Sequence, residues 1–116
     1  MPDHSSSHPI TVFWRPGCGF CAALLRGLDK SGLANERANI WDDKDAAAYV
    51  RSVARGNETV PTVRIGDTAL VNPSAQQVLA TVATEAPEQL PDGYVPPQPG
   101  RLGQMVSKLL GGQPLR

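Results

Sequence analysis

The chain has 116 residues, 41% of them hydrophobic, which is enough for one packed domain and too few for two. Eleven basic and eleven acidic side chains cancel, with no long run of either sign, so neither a nucleic acid nor an anionic membrane surface is expected as the main partner. No stretch has the length and apolarity of a membrane span or of a secretory leader's core, and the expected location is the cytoplasm.

Residues 1–8 are small, polar and without periodicity, which predicts a disordered leader. His4 and His8 within it could form a weak metal site or simply belong to an unstructured segment. Ile10-Thr11-Val12-Phe13-Trp14 is rich in β-branched and aromatic residues and predicts a short buried strand, broken by Arg15-Pro16-Gly17. A helix follows, with Cys21, Leu24, Leu25 and Leu28 on one face and Gly32 as its stop. Residues 35–41 hold a second strand around Arg37-Ala38-Asn39-Ile40. Asp42 or Asp43 then caps a helix over residues 44–55, whose apolar face includes Ala46, Ala47, Val50 and Val53, and Gly56-Asn57 stops it.

Thr62-Val63-Arg64-Ile65 and Ala69-Leu70-Val71 read as two strands joined by the Gly66-Asp67-Thr68 turn. Asn72-Pro73-Ser74 opens a last helix to about Glu85, with Asn72 or Ser74 as cap and Pro73 in the first turn. The order β-α-β-α-β-β-α predicts an α/β domain over residues 9–86: a four-stranded mixed sheet flanked by helices, with a parallel, right-handed crossover at its start. Residues 87–116 follow as a Pro-rich extended linker and a short amphipathic helix carrying Leu102, Met105, Val106, Leu109 and Leu110. That helix could dock on the domain, form a dimer contact or bind a partner.

Two cysteines occur, as Cys18-Gly19-Phe20-Cys21. A disulfide gains stability by closing a long loop, and this loop is too short for a structural role. Zinc needs two more ligands, and neither a second Cys-x-x-Cys nor a His-x-x-x-His exists. Placed after a strand and at a helix start, the pair reads as a redox dithiol. The helix N-terminus and the nearby Arg15 favour a thiolate on Cys18. Gly17 and Gly19 leave room for a substrate sulfur. Cys21, one turn further in, is expected to be more buried and harder to ionise. Cys18 therefore attacks and Cys21 resolves. Thr59-Val60-Pro61 stands before the third strand, either as a plain strand-start proline or as a cis-proline whose preceding residue offers backbone groups to a ligand. Sequence does not decide the isomer.

With strand, Cys-x-x-Cys helix, Thr59-Val60-Pro61 and the Asn72-Pro73-Ser74 helix in this order, the chain resembles the glutaredoxins from Ile10 to about Ala86. Among these it looks most like the actinobacterial mycoredoxins. The resemblance implies a thioredoxin-like fold and a disulfide oxidoreductase acting on proteins that carry mixed disulfides with a low-molecular-weight thiol. It also implies Cys18 as nucleophile, Cys21 as resolving cysteine, and a thiol groove lined by Thr59, Val60 and Pro61. Arg15, Gly19, Phe20, Asn72, Pro73 and Ser74 complete the expected thiol-binding set.

Glutathione-using members usually carry Cys-Pro-Tyr-Cys and a Gly-Gly pair before the last helix. Here Gly19, Phe20 and Val71-Asn72-Pro73-Ser74 stand in those places, as in mycoredoxin-like proteins, so mycothiol is the expected reductant ahead of glutathione. No tightly bound cofactor, no metal and a monomer are expected. The helix start near Ser74 could hold a ligand carboxylate. Arg51 and Arg55 could reach the same anion or be solvated surface charge. Two rival readings stay open: a dimer sharing an iron–sulfur cluster, because Cys-Gly-Phe-Cys resembles the Cys-Gly-Phe-Ser of cluster-carrying relatives, and a binding module switched by its dithiol.

Overall fold

The computed structural model describes residues 8–92 and residue 94. His4, the rest of the expected leader to Ser7, and the stripe from Leu102 to Leu110 lie outside these described residues. The elements run β1 (Ile10–Trp14), α1 (Gly19–Ser31), β2 (Glu36–Asn39), α2 (Lys44–Val53), β3 (Thr62–Ile65), β4 (Thr68–Val71) and α3 (Ala75–Glu85), with a 3₁₀ turn at Pro87–Gln89.

β1 is apolar on both faces because it lies inside the sheet with helices on either side. Ile10 and Val12 join Leu24, Leu28, Val63, Ile65, Val78 and Val82 in the core beneath α1 and α3. Phe13 points the other way, packing with Ala38, Ile40, Ala46 and Val50 under α2, its ring stacked on Tyr49 with centroids 4.9 Å apart. The strand order is β2-β1-β3-β4. β1 and β2 are parallel, with Thr11 opposite Glu36. β3 runs antiparallel to β1, with Val12 opposite Val63, and β4 antiparallel to β3. These directions bring the ends of β1, β2 and β4 and the start of β3 to one edge, so the four loops that follow or precede them share one end of the molecule.

α1 stops where Gly32 takes a left-handed φ of 81° and its N–H turns back to the Leu28 and Asp29 carbonyls. α1 and α3 come very close at Gly27, where an added Cβ would sit 2.7 Å from the Ala75 Cβ. Asp43, not Asp42, caps α2, its Oδ1 accepting from the Asp45 and Ala46 amides at 2.9 and 3.1 Å.

Four expectations are corrected. β2 is shorter than residues 35–41, ending at Asn39, because the Asn39 Oδ1 takes the Trp41 N–H at 2.9 Å and turns the chain. α2 ends at Val53 rather than Arg55: Arg55 and Gly56 both adopt positive φ, and the Gly56 N–H closes the turn on the Arg51 carbonyl at 2.8 Å. α3 begins after Ser74, so Pro73 precedes the cap instead of occupying the first turn, and Asn72, with φ of 55°, is not a cap. The chain after Ala86 does not extend away at once. Pro87–Gln89 form a 3₁₀ turn, and Leu90 and Tyr94 pack against the core beneath α1 and α3.

Candidate active site

The loop from Arg15 to Gly17 brings Cys18 to the N-cap of α1 at the crowded end of the sheet. Gly17, with φ of 77°, makes the turn that allows this. Cys18 is extended (φ −97°, ψ 107°), and its Sγ accepts from the Cys21 N–H at 3.1 Å. A sulfur in this position meets one of the orphan donors of a helix start, a partner suited to negative charge. The Cys18 thiol in turn donates to the Val60 carbonyl at 3.7 Å.

Cys18 is half-buried, whereas Cys21 is only 2% exposed. Burial, first, and then its contact with Cys18 push the Cys21 thiol up to about 12, against a smaller opposing pull from the backbone and charge of Arg15. At neutral pH Cys21 is therefore a protonated thiol behind an accessible sulfur. Both cysteines are free.

Val60-Pro61 is a cis peptide, and Pro61 is buried. The Thr59 carbonyl accepts from the Thr62 hydroxyl at 2.8 Å. The Asn72 N–H donates to the Pro61 carbonyl at 2.7 Å, which joins the Asn72–Ser74 loop to the proline loop. Gly19 opens α1 with nothing within 4 Å of a Cβ built on it. Phe20, 72% exposed, faces Pro73 and Ser74 across a cavity of about 240 Å³ that Leu24, Asn72 and Ala75 also line. Of the expected thiol-binding residues, Gly19 and Phe20 follow Cys18 directly, Val60 accepts from its thiol, and Asn72 ties the loop carrying Pro73 and Ser74 to Pro61.

Arg15 is placed differently from a plain companion of Cys18. Its guanidinium lies 5.6 Å from the centre of the Trp41 ring and donates to the Pro16 carbonyl at 3.1 Å, while its charge still acts on Cys21. Ser74 is also committed: its Oγ accepts from the Gln77 N–H at 3.1 Å, and its own N–H donates to the Gln77 Oε1 at 2.8 Å. This reciprocal capping box leaves the Ala75 and Gln76 amides at the head of α3. Arg51 pairs with Glu58 at 2.6 Å, and Arg55 is exposed in the turn after α2. His8 Nδ1 accepts from the Ile10 N–H at 2.9 Å. Among the described residues no group of three His, Cys, Asp or Glu side chains could hold a metal ion, and no helix is long and apolar enough to cross a membrane.

Sequence reasoning passed over Trp41 and Gln77. Ser74-x-x-Gln77 carries the spacing of a capping box, and a tryptophan just beyond a short edge strand is a signal of its own.

An open sulfur able to attack a disulfide, backed by a second able to displace what it captures, equips a disulfide oxidoreductase, and the mixed sheet with helices on both faces places the molecule in the thioredoxin-fold class. The family profile for glutaredoxins matches residues 10–70, and the chain belongs to the glutaredoxin family. Mycoredoxin 1 of Corynebacterium glutamicum is 38% identical over 74 residues, covering 63% of this chain and 91% of that one. A Mycobacterium tuberculosis protein named as a glutaredoxin is 39% identical over 72 residues, covering 61% and 86%. Among solved structures, reduced glutaredoxin C1 of Populus tremula x tremuloides is similar with a TM-score of 0.51 at 25% identity, covering 73% of this chain and 74% of that one. A buckwheat glutaredoxin–glutathione complex shares the fold with a TM-score of 0.51 at 22% identity, covering 70% and 76%. The protein is a glutaredoxin-type disulfide oxidoreductase, a class whose reductant is a low-molecular-weight thiol.

Proposed function

We propose that this protein reduces mixed disulfides between proteins and mycothiol, in preference to those with glutathione, with Cys18 as nucleophile and Cys21 as resolving thiol. The observation that carries the division of labour is the contrast between the two sulfurs. Cys18 is half-buried at a helix start with the Cys21 amide on it, while Cys21 is buried and protonated. Support for the choice of thiol comes from the likeness to mycoredoxin 1 over 91% of that protein and from Gly19, Phe20 and the Asn72-Pro73-Ser74 loop.

In the first step the Cys18 thiolate attacks the mycothiol sulfur of the mixed disulfide. The protein–mycothiol bond breaks, the protein sulfur leaves as thiolate and takes a proton from solvent, and mycothiol remains on Cys18. A second mycothiol then attacks its own kind on Cys18, releasing oxidised mycothiol and regenerating the thiolate. Alternatively Cys21, losing its proton as it attacks the Cys18 sulfur, expels mycothiol and leaves a Cys18–Cys21 disulfide, which two further thiols reduce. The Val60 backbone and the Asn72–Ser74 loop flank the bound thiol, and the Ala75 and Gln76 amides are donors for its hydroxyl or amide oxygens at the start of α3. The protein acts as a cytoplasmic monomer. The test is a coupled assay offering mycothiol and glutathione mixed disulfides of one protein side by side. Higher kcat/KM with mycothiol is expected; equal or better turnover with glutathione contradicts the assignment.

A further inference from the structure

We propose that Trp41, with Arg15 laid on one side of its ring, is the specificity-determining residue of this enzyme: it receives the sugar ring of the low-molecular-weight thiol. This deepens the mycothiol reading above and rests on it. Mycothiol is an acylated cysteine joined to a glucosamine–inositol unit, neutral and rich in hydroxyls. Glutathione is a tripeptide with two carboxylates.

Trp41 is 62% exposed, which leaves most of its ring open to a ligand. It is held in place nonetheless. Asn39 accepts the Trp41 N–H on its side chain at 2.9 Å and the Asp42 N–H on its carbonyl at 3.0 Å, and the Asn39 side-chain amide donates to Asp42 Oδ2 at 3.2 Å. Such a fixed turn presents the ring with little ordering cost on binding.

Its location ties it to the reaction. The loop after β2 shares the end of the sheet with Cys18, and Arg15, three residues before Cys18, reaches the ring at 5.6 Å. The same Arg15 is close enough for its charge to act on Cys21. Arg15 thereby links the Trp41 ring to the loop that carries Cys18.

The chemistry of the neighbourhood suits a polyol. An aromatic ring packs against the C–H face of a sugar, while amide, carboxylate and guanidinium groups such as Asn39, Asp42 and Arg15 bond hydroxyls. A cavity of about 590 Å³ opens beside the Trp41 turn between α1 and β2, lined by Trp14, Asn39 and the carboxyl residues Glu36, Asp42 and Asp43. Arg37, on the same wall, is paired with Asp29.

The experiment compares wild type, Trp41→Ala and Trp41→Tyr on mycothiol and glutathione mixed disulfides of the same protein. Trp41→Ala is expected to lower the mycothiol-to-glutathione ratio of kcat/KM about tenfold, through KM rather than kcat, with Trp41→Tyr recovering most of it. An unchanged ratio overturns the proposal, as does an equal loss on both substrates, which is what a merely structural role produces. A wild type inactive on the mycothiol disulfide removes the underlying thiol assignment, a result visible before any variant is made.

Discussion

Cys18 and Cys21 are separated by a single helical turn yet differ in almost every physical respect that governs thiol reactivity. Cys18→Ser is expected to abolish turnover, because the only other thiol in the sequence, Cys21, is buried. Cys21→Ser is expected to keep the route that uses a second external thiol, measured as residual mixed-disulfide reduction. Burial of Cys21 has a consequence for stability as well. An unfolded cysteine loses its proton near pH 8.5, whereas Cys21 in the fold holds its own to about 12. Between those values the folded state binds more protons, so its stability falls as pH rises from about 9 towards 12, and this group contributes no pH dependence below that window. Denaturant titrations of the fully reduced protein at pH 7 and pH 10.5 should show Cys21→Ala losing less of its stability than wild type over that interval.

The elements owe their positions to local devices of different legibility. The α1 stripe of Cys21, Leu24 and Leu28 could be read from spacing, and these residues are buried as that reading requires. The start of α3 could not be read as clearly, since Asn72 and Ser74 are both good caps; only the left-handed φ of Asn72 and the Gln77 partner decide it for Ser74. Ser74→Ala should therefore cost about 1 kcal/mol of stability, read from chemical denaturation. Nothing in sequence spacing reveals that Gly27 touches Ala75, because the contact joins helices far apart in the chain. Gly27→Ala would gain helix propensity but must push apart two Cβ atoms 2.7 Å from one another, neither of them on a flexible side chain. A net loss of about 1–2 kcal/mol is expected. Adding Ala75→Gly should recover part of it by removing the second Cβ, and a double variant no better than the single one would show that the contact is not the cause.

At the scale of the molecule, the strand directions decide the site. Because β3 is antiparallel to β1 and β4 to β3, Trp14, Asn39, Pro61 and Asn72 come to the same end although Asn72 lies 58 positions after Trp14 in the sequence. This gathering was legible once the order of elements was known, and so were Cys18, Cys21 and the Thr59-Val60-Pro61 segment. The isomer of Pro61 was not, since a strand-start proline and a cis-proline have the same sequence. The packing of Leu90 and Tyr94 was hidden as well. Single apolar residues among prolines show no period, and their contact with the core depends on where α3 ends. A chain ending at Glu85 should consequently be about 2 kcal/mol less stable than one ending at Tyr94, with the loss confined to that short segment. Equal midpoints in urea would mean that Leu90 and Tyr94 add nothing.

The central claim, that catalysis depends on Cys18 while Cys21 only determines how the reaction finishes, is tested most directly by one rate comparison. Reduction of a mycothiol–protein mixed disulfide is followed with wild type, Cys18→Ser and Cys21→Ser, and the trapped enzyme is analysed by intact mass. The expected result is no turnover for Cys18→Ser, and for Cys21→Ser retained turnover together with a single mycothiol adduct on Cys18. Turnover by Cys18→Ser, or loss of all activity and of the adduct in Cys21→Ser, would contradict it.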